Sequence, residues 1–389
     1  MKKKKFFISA LVLIALAALV YLQVRTWRKF DWHHFWTVTR GINLTYLLAG
    51  TALIYSDYFL RALRWKIMLR PVRQTDAVGL VAPTMIGFTG LALLGRPGEF
   101  IRPYLIARRE GLSMSSQVAV WTVERIFDTG AFGLIMALNI LIAGSELKKL
   151  PGFRHSPRAF FDFQLSGLIL LAGVAMAAAF AYAVRKNPEP IAHFAQRLIG
   201  SISEKVGEVV ARKVQAFGEG LNTIQDFKSF IQLSGLSLLI WLIIGLSYVA
   251  VTNAYHIHRH AHMTLSNVLL LTAASVVGGV LQLPVVGGGS QLATIGVLHG
   301  IFDLSPELST SCGMMLWLVT FMSVIPAGLL LAHREHISLT RLEKESEQQI
   351  GKSQQIGSSG QPVIGSSAEP GQGFVDPSKS EENPGKWVN

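Results

Sequence analysis

The sequence predicts an all-α, polytopic integral membrane protein, folded as a helical bundle, and two observations predict this class. Half of the 389 residues are hydrophobic and only 15% are charged, whereas an ordinary soluble domain has about 25% charged residues. The mean hydropathy is +0.39, and the apolar residues lie in runs near the roughly 20 residues that a helix needs to cross a bilayer. With re-entrant half-helices included, we expect about seven to nine membrane segments.

Seven apolar runs are long enough to form spanning helices. They lie near residues 6–24, 44–63, 117–143, 163–184, 231–252, 264–283 and 310–332. Two further runs, 78–95 and 288–303, are short and interrupted by glycines. This pattern predicts half-helices or re-entrant hairpins that line a polar cavity. The alternative is that both are ordinary spans, since glycine is common in membrane helices.

The lysines and arginines between the runs predict the orientation. Lys2 to Lys5 precede a first run that is long enough to span, so we expect an uncleaved helix and a cytoplasmic N-terminus. The basic stretches 61–73 and 185–230 are predicted to be cytoplasmic as well. If 78–95 re-enters, the arginines that follow it also return to the cytoplasm. We therefore expect a multi-pass protein of the cell membrane, inner or plasma, with both termini cytoplasmic.

The sequence divides into a transmembrane domain, residues 1–332, and a tail, residues 333–389. Within the first part, residues 185–230 carry apolar residues at helical spacing between charges, which predicts an amphipathic cytoplasmic connector. The tail is rich in Gly, Ser, Gln, Pro and Glu without an apolar period, so we expect it to be disordered and cytoplasmic.

The segment from Gly95 to Asp128 places ionisable residues beside membrane-length apolar runs. It contains Arg96, Glu99, Arg102, Glu124, Arg125 and Asp128. Charged groups at membrane depth cost roughly 2.5–3.5 kcal/mol each on insertion scales, so they are retained where something uses them. The segment is therefore the default functional site.

Helical geometry predicts how these charges are arranged. Glu124 and Asp128 are four residues apart and share one face, while Glu99 and Arg102 are three apart and can pair across one turn. Arginine that is paired in this way can exchange a carboxylate for a lipid phosphate, which its planar fork matches bidentately. The competing interpretation of Glu124, Arg125 and Asp128 is an interhelical salt-bridge lock. Arg61 and Arg64, beside Trp65, are better explained as interfacial anchors than as ligands.

Two glycine motifs are predicted to break helices within the membrane. Gly95 and Gly98 flank Pro97, and a triplet formed by Gly287, Gly288 and Gly289 precedes Gln291. Helix termini with free backbone N–H groups can bind anionic groups. Each motif follows an apolar run and precedes a polar side chain, which suggests an inverted repeat around a midplane cavity.

Other chemistry has little support in the sequence. His256, His258, His260 and His262 alternate in an apparent loop, but Arg259 lies among them and no carboxylate accompanies them, so we expect no metal site. The single cysteine, Cys312, has no partner for a disulfide. No nucleotide-binding or hydrolase motif is present, so we expect no cofactor and no catalytic residues. The basic charge lies in loops between spans, which argues for lipid headgroups and against nucleic acid.

Four motifs resemble one known family. RALRWKIMLRP (61–71), LLGRPGEFIRPYLIARREGLS (93–113), VERIFD (123–128) and LPVVGGGSQ (283–291) are similar to the lysylphosphatidylglycerol synthase transmembrane region, also called flippase-like, over roughly residues 6–332. The resemblance implies a membrane domain that binds or translocates lipids. The full-length synthases add a soluble aminoacyl transferase domain, for which the 57 residues after residue 332 are too short. Many members also carry a glutamate after the late glycine motif, where this chain has Gln291.

We therefore expect a protein that binds anionic or isoprenoid-type lipids and moves them between leaflets. The alternative is a membrane-embedded lipid-modifying enzyme, or a scaffold or accessory subunit that partners lipid-synthesis enzymes. The expected headgroup-binding residues are Arg61, Arg64, Arg96, Gly98, Glu99, Arg102, Glu124, Arg125, Asp128, Gly287, Gly288, Gly289 and Gln291.

Overall fold

The computed structural model describes residues 30–154, 157–200, 207, 208, 210, 227–255, 263–280 and 288–335. All regular elements in these ranges are helices, which confirms the predicted all-α class. The predicted first span at 6–24, the histidine cluster at 256–262, most of the connector and the tail beyond residue 335 lie outside the described residues.

The described helices are numbered here in chain order. They are α1 (Trp32–Arg40), α2 (Leu44–Leu69), α3 (Ala77–Leu94), a 3-10 turn (Arg96–Phe100), α4 (Ile101–Glu110), α5 (Met114–Ile142), α6 (Gly144–Leu147), α7 (Pro151–Arg154), α8 (Pro157–Lys186), α9 (Pro188–Gly200), α10 (Phe227–Asn253), α11 (Leu265–Val280), α12 (Gly288–Gly300), α13 (Pro306–Trp317), a π-helical turn (Leu318–Met322) and α14 (Val324–Arg334).

Five described helices are long and apolar enough to cross a membrane, so the chain is a multi-pass membrane protein. They are α3, α5, the Phe160–Phe180 part of α8, α10 and the continuous segment Pro306–Arg334. Helix α2 has 26 residues, a sufficient length, but it carries Asp57, Arg61, Arg64 and Lys66 in its second half. The predicted runs at 117–143, 163–184, 231–252 and 310–332 each fall on one of the five long helices.

Helices α2 and α10 pack against each other and run antiparallel, with contacts near both ends. At one end, the amide of Asn43 donates to the carbonyl of Ala254 at 2.9 Å. At the other end, Arg70 Nη1 donates to Gln232 Oε1 at 3.1 Å. Gly50 permits the close approach between them, since a side chain there would meet Val251 at 3.0 Å.

The segment predicted as a half-helix, 78–95, forms one unbroken helix, α3, in which Pro83 causes no break. The predicted break comes after it, at Gly95, which has a φ of +73° that favours glycine. The chain then reverses and returns along α3, so that Arg109 lies 3.4 Å from where a side chain on Gly79 would begin. Helices α3 and α4 with the turn between them thus form a hairpin, the first hairpin, whose two ends lie together.

A second hairpin is formed by α11 and α12. The predicted full span at 264–283 and half-helix at 288–303 are two short helices of 16 and 13 residues. They pack closely where Gly278 meets Gly289 and where the hydroxyls of Ser275 and Ser290 lie 2.5 Å apart. Helix α12 begins at Gly288, which has a φ of +53°, as the predicted glycine break requires.

Candidate functional site

The charged residues of α2 and α5 meet at the end of the bundle where the first hairpin begins. Arg64 is five residues before the end of α2, and Glu124 is ten residues after the start of α5. The helical rise places Glu124 about 15 Å from the start of α5. This distance along the helix is about half of the thickness of a bilayer's hydrocarbon core.

Arg64 is the centre of the network and is completely buried. Its Nη2 donates to Glu124 Oε1 at 2.6 Å, and its Nη1 donates to Asp128 Oδ1 at 2.5 Å. A further donation, from Nη1 to the Ser237 hydroxyl at 2.8 Å, connects Arg64 and its two carboxylates to α10. Glu124 and Asp128 bind the same guanidinium because their four-residue spacing puts them on one face of α5, as the sequence predicted.

Arg102 extends the network to the first hairpin. Both of its terminal nitrogens donate to the carboxylate of Glu124, which is itself completely buried. Its guanidinium also lies over the rings of Trp65, at 4.9 Å, and Phe88, at 5.2 Å. These contacts are cation–π interactions, which strengthen when the cation is removed from water.

Glycine at position 87 makes the approach of Arg102 possible. A side chain at Gly87 would collide with the Cβ of Arg102 and lie 2.9 Å from its Cα. About one turn along α3 from Gly87, a side chain on Gly98 would overlap the backbone of Gly90. These glycines therefore allow α4, the helix that carries Arg102, to pack directly against α3.

Arg61 and Asp57 complete the buried set. Arg61 Nε donates to Asp57 Oδ2 at 2.8 Å, one helical turn away on α2, and its Nη1 lies 3.8 Å from Asp128 Oδ2. The buried groups are three arginines and three carboxylates. When all six are ionised, their charges cancel.

Arg125 is the seventh charge and differs from the other arginines in its exposure. Its side chain is 41% exposed, against 10% or less for Arg61, Arg64 and Arg102. Its Nη2 lies 3.2 Å from Asp128 Oδ2 and 3.4 Å from Glu124 Oε2. Its Nε is buried and has no hydrogen-bond acceptor within the described part of the chain. The Nε of Arg64 is unbonded in the same way, so exposure and longer contacts, and not Nε, distinguish Arg125 from the other arginines.

A cavity of about 50 Å³ opens beside Arg125. Its polar lining comes from Arg102, Arg125 and Glu99, and its apolar lining comes from Gly87, Phe88, Leu91 and Trp121. Glu99 is half-buried and forms no salt bridge with another described residue. The cavity therefore presents one available guanidinium, the side of a second and one carboxylate to anything that enters.

The prediction that Arg61 and Arg64 are interfacial anchors is wrong. An anchoring arginine extends its charge into water, but Arg64 is 0% exposed and Arg61 is 8% exposed. The reason is that α5 and α10 supply Glu124, Asp128 and Ser237 to the face of α2 that carries these arginines. The spacing along α2 alone does not reveal these partners.

The predicted pairing of Glu99 with Arg102 is also wrong. Arg102 points toward α5 and binds Glu124, because Glu99 belongs to the 3-10 turn and not to the helix of Arg102. Arg96, at the start of that turn, is exposed. Gly98 is buried against α3, as part of the turn.

The late glycine motif lies in the second hairpin and not in the arginine network. Gly288 begins α12, Gly289 packs on Gly278, and Gln291 is 4% exposed with its Oε1 unbonded within the described ranges. Gly287 lies outside the described residues. No described hydrogen bond or ion pair joins these residues to Arg64, Arg102 or Arg125.

Several residues of the site were not predicted from the sequence. Asp57 could have been found, because its four-residue spacing from Arg61 on one apolar helix indicates an ion pair. Ser237 and Phe88 gave no signal, since an isolated serine or phenylalanine in a membrane helix is unremarkable. Trp241, whose Nε1 donates to the carbonyl of Asp128 at 3.0 Å, gave none either.

Comparison with known proteins identifies the family. A family model described as the lysylphosphatidylglycerol synthase TM region matches residues 7–328, and the chain belongs to this family. No curated protein and no solved structure matches the chain.

Proposed function

We propose that this member of the lysylphosphatidylglycerol synthase transmembrane family binds the phosphate of an anionic or isoprenoid-type lipid and moves that lipid between leaflets. The observation that carries the proposal is Arg125, a partly exposed guanidinium at a cavity whose neighbouring buried charges cancel one another. The site can therefore accept an anion at Arg125 while the pairs behind it stay intact.

The contact distances support an exchange of partners at Arg125. Its contacts with Asp128 and Glu124, at 3.2 and 3.4 Å, are longer than the 2.5 and 2.6 Å contacts that Arg64 makes with the same two carboxylates. Arg125 can turn toward a phosphate while Arg64 continues to neutralise both acids. A planar guanidinium binds two phosphate oxygens at once, so the exchange replaces one charge-assisted contact by another.

Glu99 supports a headgroup that carries hydroxyls as well as phosphate. A carboxylate accepts hydrogen bonds, and this one shares the cavity with Arg102 and Arg125. A glycerol or sugar hydroxyl would donate to Glu99 while the phosphate binds Arg125. Phe88, Leu91 and Trp121 provide an apolar wall for the part of the lipid next to the headgroup.

The contacts of Glu124 argue against the enzyme alternative, in which Glu99 and Glu124 act as acid and base. Glu124 is completely buried and bonded by Arg64 and Arg102. A general base must reach the proton that it removes. Glu124 has no such access, so the geometry favours binding over proton transfer.

Lipid binding is tested by mass spectrometry of lipids retained on the protein after purification in mild detergent. Arg125→Gln removes the available guanidinium and should strongly reduce retained anionic lipid. Arg73→Gln is the matched control, because it removes the same charge from a side chain that is 60% exposed in the α2–α3 loop. Equal lipid retention in the two variants would refute the proposed binding site.

Movement is tested by the accessibility of fluorescent lipids in proteoliposomes to an external quencher. The proposal expects exchange between leaflets with the wild type and with Arg73→Gln, and loss of exchange with Arg125→Gln. A new lipid species in the same vesicles would indicate an enzyme instead. If neither lipid exchange nor lipid conversion is observed, the result favours the third alternative, a scaffold for lipid-synthesis enzymes.

A further inference from the structure

The described helices can be arranged as two units that have the same order of elements. Each unit is a long helix, a short hairpin and a second long helix: α2, the first hairpin and α5, then α10, the second hairpin and the Pro306–Arg334 segment. The first long helices have 26 and 27 residues, and the second have 29 and 29. The hairpins begin with helices of 18 and 16 residues.

The two hairpins are closed at equivalent positions. Gly90 is thirteen residues after the start of α3, and Gly278 is thirteen residues after the start of α11. Each of these glycines contacts a glycine in the returning half of its hairpin, Gly98 in the first hairpin and Gly289 in the second. These contacts align Glu99, the next residue after Gly98, with Ser290, the next residue after Gly289.

The two units are inverted relative to each other. Helices α2 and α10 are antiparallel, with Asn43 beside Ala254 and Arg70 beside Gln232. Each hairpin begins just beyond the C-terminal end of one of these helices, so the hairpins begin at opposite ends of the bundle. Further contacts agree with this arrangement, since Arg109 of the first hairpin pairs with Glu335 at 3.5 Å.

At the other end, the amide of Gly152 donates to the carbonyl of Ile301 at 3.0 Å, just after the second hairpin. Gly152 follows α5, which begins beside the first hairpin and has the length to span. Gly152 and Ile301 therefore belong to the end of the bundle opposite Arg109.

The charged site has a neutral counterpart in the second unit. Glu124 and Asp128 are ten and fourteen residues after Met114, and the equivalent residues after Pro306 are Leu316 and Thr320. Helices α11 and α12 contain no Asp, Glu, Lys or Arg. Beside the contact between Gly278 and Gly289 they carry the paired hydroxyls of Ser275 and Ser290, and Gln291, which is buried with an unbonded Oε1 among the described residues.

We propose that Ser290 and Gln291, with Ser275, form a second headgroup subsite that opens toward the membrane face opposite the Arg125 site. This rests on the proposed function for its ligand, the same hydroxylated phosphate headgroup. Hydroxyl and amide groups donate to phosphate oxygens, and the Gln291 oxygen accepts from a headgroup hydroxyl. Neutral hydrogen bonds are weaker than those of a guanidinium, so the subsite releases the headgroup more readily.

Cysteine labelling from the two sides of a sealed vesicle tests this arrangement. The native Cys312 is buried and is replaced by alanine, and single cysteines are introduced as Glu99→Cys and Ser290→Cys. Arg73→Cys and Lys149→Cys mark the two ends of the bundle, since these side chains are 60% and 70% exposed and lie on either side of α5. A membrane-impermeant maleimide is added before and after the vesicles are opened.

The proposal expects Glu99→Cys to be labelled from the same side as Arg73→Cys, and Ser290→Cys from the same side as Lys149→Cys. Labelling of both sites from one side, or no labelling of Ser290→Cys in folded protein, would overturn it. If Glu99→Cys fails to fold, Leu91→Cys replaces it, since Leu91 lines the same cavity. If Ser290→Cys fails to fold, Ser275→Cys replaces it. Each replacement is expected to be labelled from the same side as the cysteine that it replaces.

Occupancy by a headgroup is tested separately by Gln291→Leu. This variant should slow lipid exchange severalfold while retaining anionic lipid at the Arg125 site, and unchanged exchange would refute a second subsite. If opposite-side labelling is found but Arg125→Gln retains lipid normally, the inverted arrangement stands and the proposed function fails.

Discussion

The buried charge network makes a sharp prediction for Glu124→Gln. The carboxylate of Glu124 is the only acidic partner of Arg102 among the described residues, whereas Arg64 also has Asp128. Replacing the carboxylate by an amide of the same shape leaves the Arg102 guanidinium buried without a counterion. Breaking a buried pair in this way costs about 3–5 kcal/mol, which is a large part of the roughly 5–15 kcal/mol that stabilises a typical protein.

Asp128→Asn provides a graded comparison. After this change Arg64 retains Glu124 and Ser237, and Arg61 retains Asp57. No arginine loses its last carboxylate, so we expect the cost to be that of charged hydrogen bonds, about 1.5–3 kcal/mol. Arg125→Gln should cost less than either change, about 0–1 kcal/mol, since that arginine is partly exposed.

The assay is the free energy of unfolding in mild detergent, followed by circular dichroism, with a double-mutant cycle. In an Arg102→Met background no guanidinium is stranded, so Glu124→Gln should cost less than in the wild type by about 0.5–3 kcal/mol. The reasoning fails if Glu124→Gln and Arg125→Gln destabilise equally, or if the cycle shows no coupling between Arg102 and Glu124.

Three further predictions concern the turn, the first hairpin and the short helix α1. Gly98→Ala should strongly destabilise the protein, because the added methyl group overlaps the backbone of Gly90. The control Gly130→Ala, whose methyl group would have nothing within 4 Å, should be neutral or stabilise α5 by up to about 1 kcal/mol. Similar melting temperatures for the two variants would contradict this prediction. Gly87→Ala should displace Arg102 and reduce retained anionic lipid, and a normal lipid content would count against the glycine contact. Asp31 caps α1, and the hydrogen bond from the backbone amide of His34 lowers the pKa of its carboxyl group. The cap therefore stabilises the folded state at pH values above the ordinary pKa of Asp31. This stabilisation is lost as the pH falls through the lowered pKa. Asp31→Asn should abolish the corresponding acid-dependent change in melting temperature, and an unaltered pH profile would exclude the cap as its source.

The positions of the helices and breaks follow from local sequence. Runs of apolar residues near membrane length predict the long helices, because no water is available in the bilayer to bond an exposed backbone. The glycine motifs predicted helix breaks, and the structure has Gly95 and Gly288 at positive φ at the end of α3 and the start of α12, a conformation that glycine adopts most easily. The shared face of Glu124 and Asp128 follows from helical periodicity.

The tertiary structure alone decided which charges are buried together. Arg64 has its acidic partners 60 and 64 residues away on α5, and Ser237 is 173 residues away on α10. Nothing within α2 distinguishes Arg64 from an arginine that extends into water, because burial depends on which helices pack against it. The sequence by itself determined that charged residues would lie beside long apolar helices and a helix break. The packing of α2, α5 and the first hairpin determined that Arg125 alone among the four arginines of the network remains partly exposed.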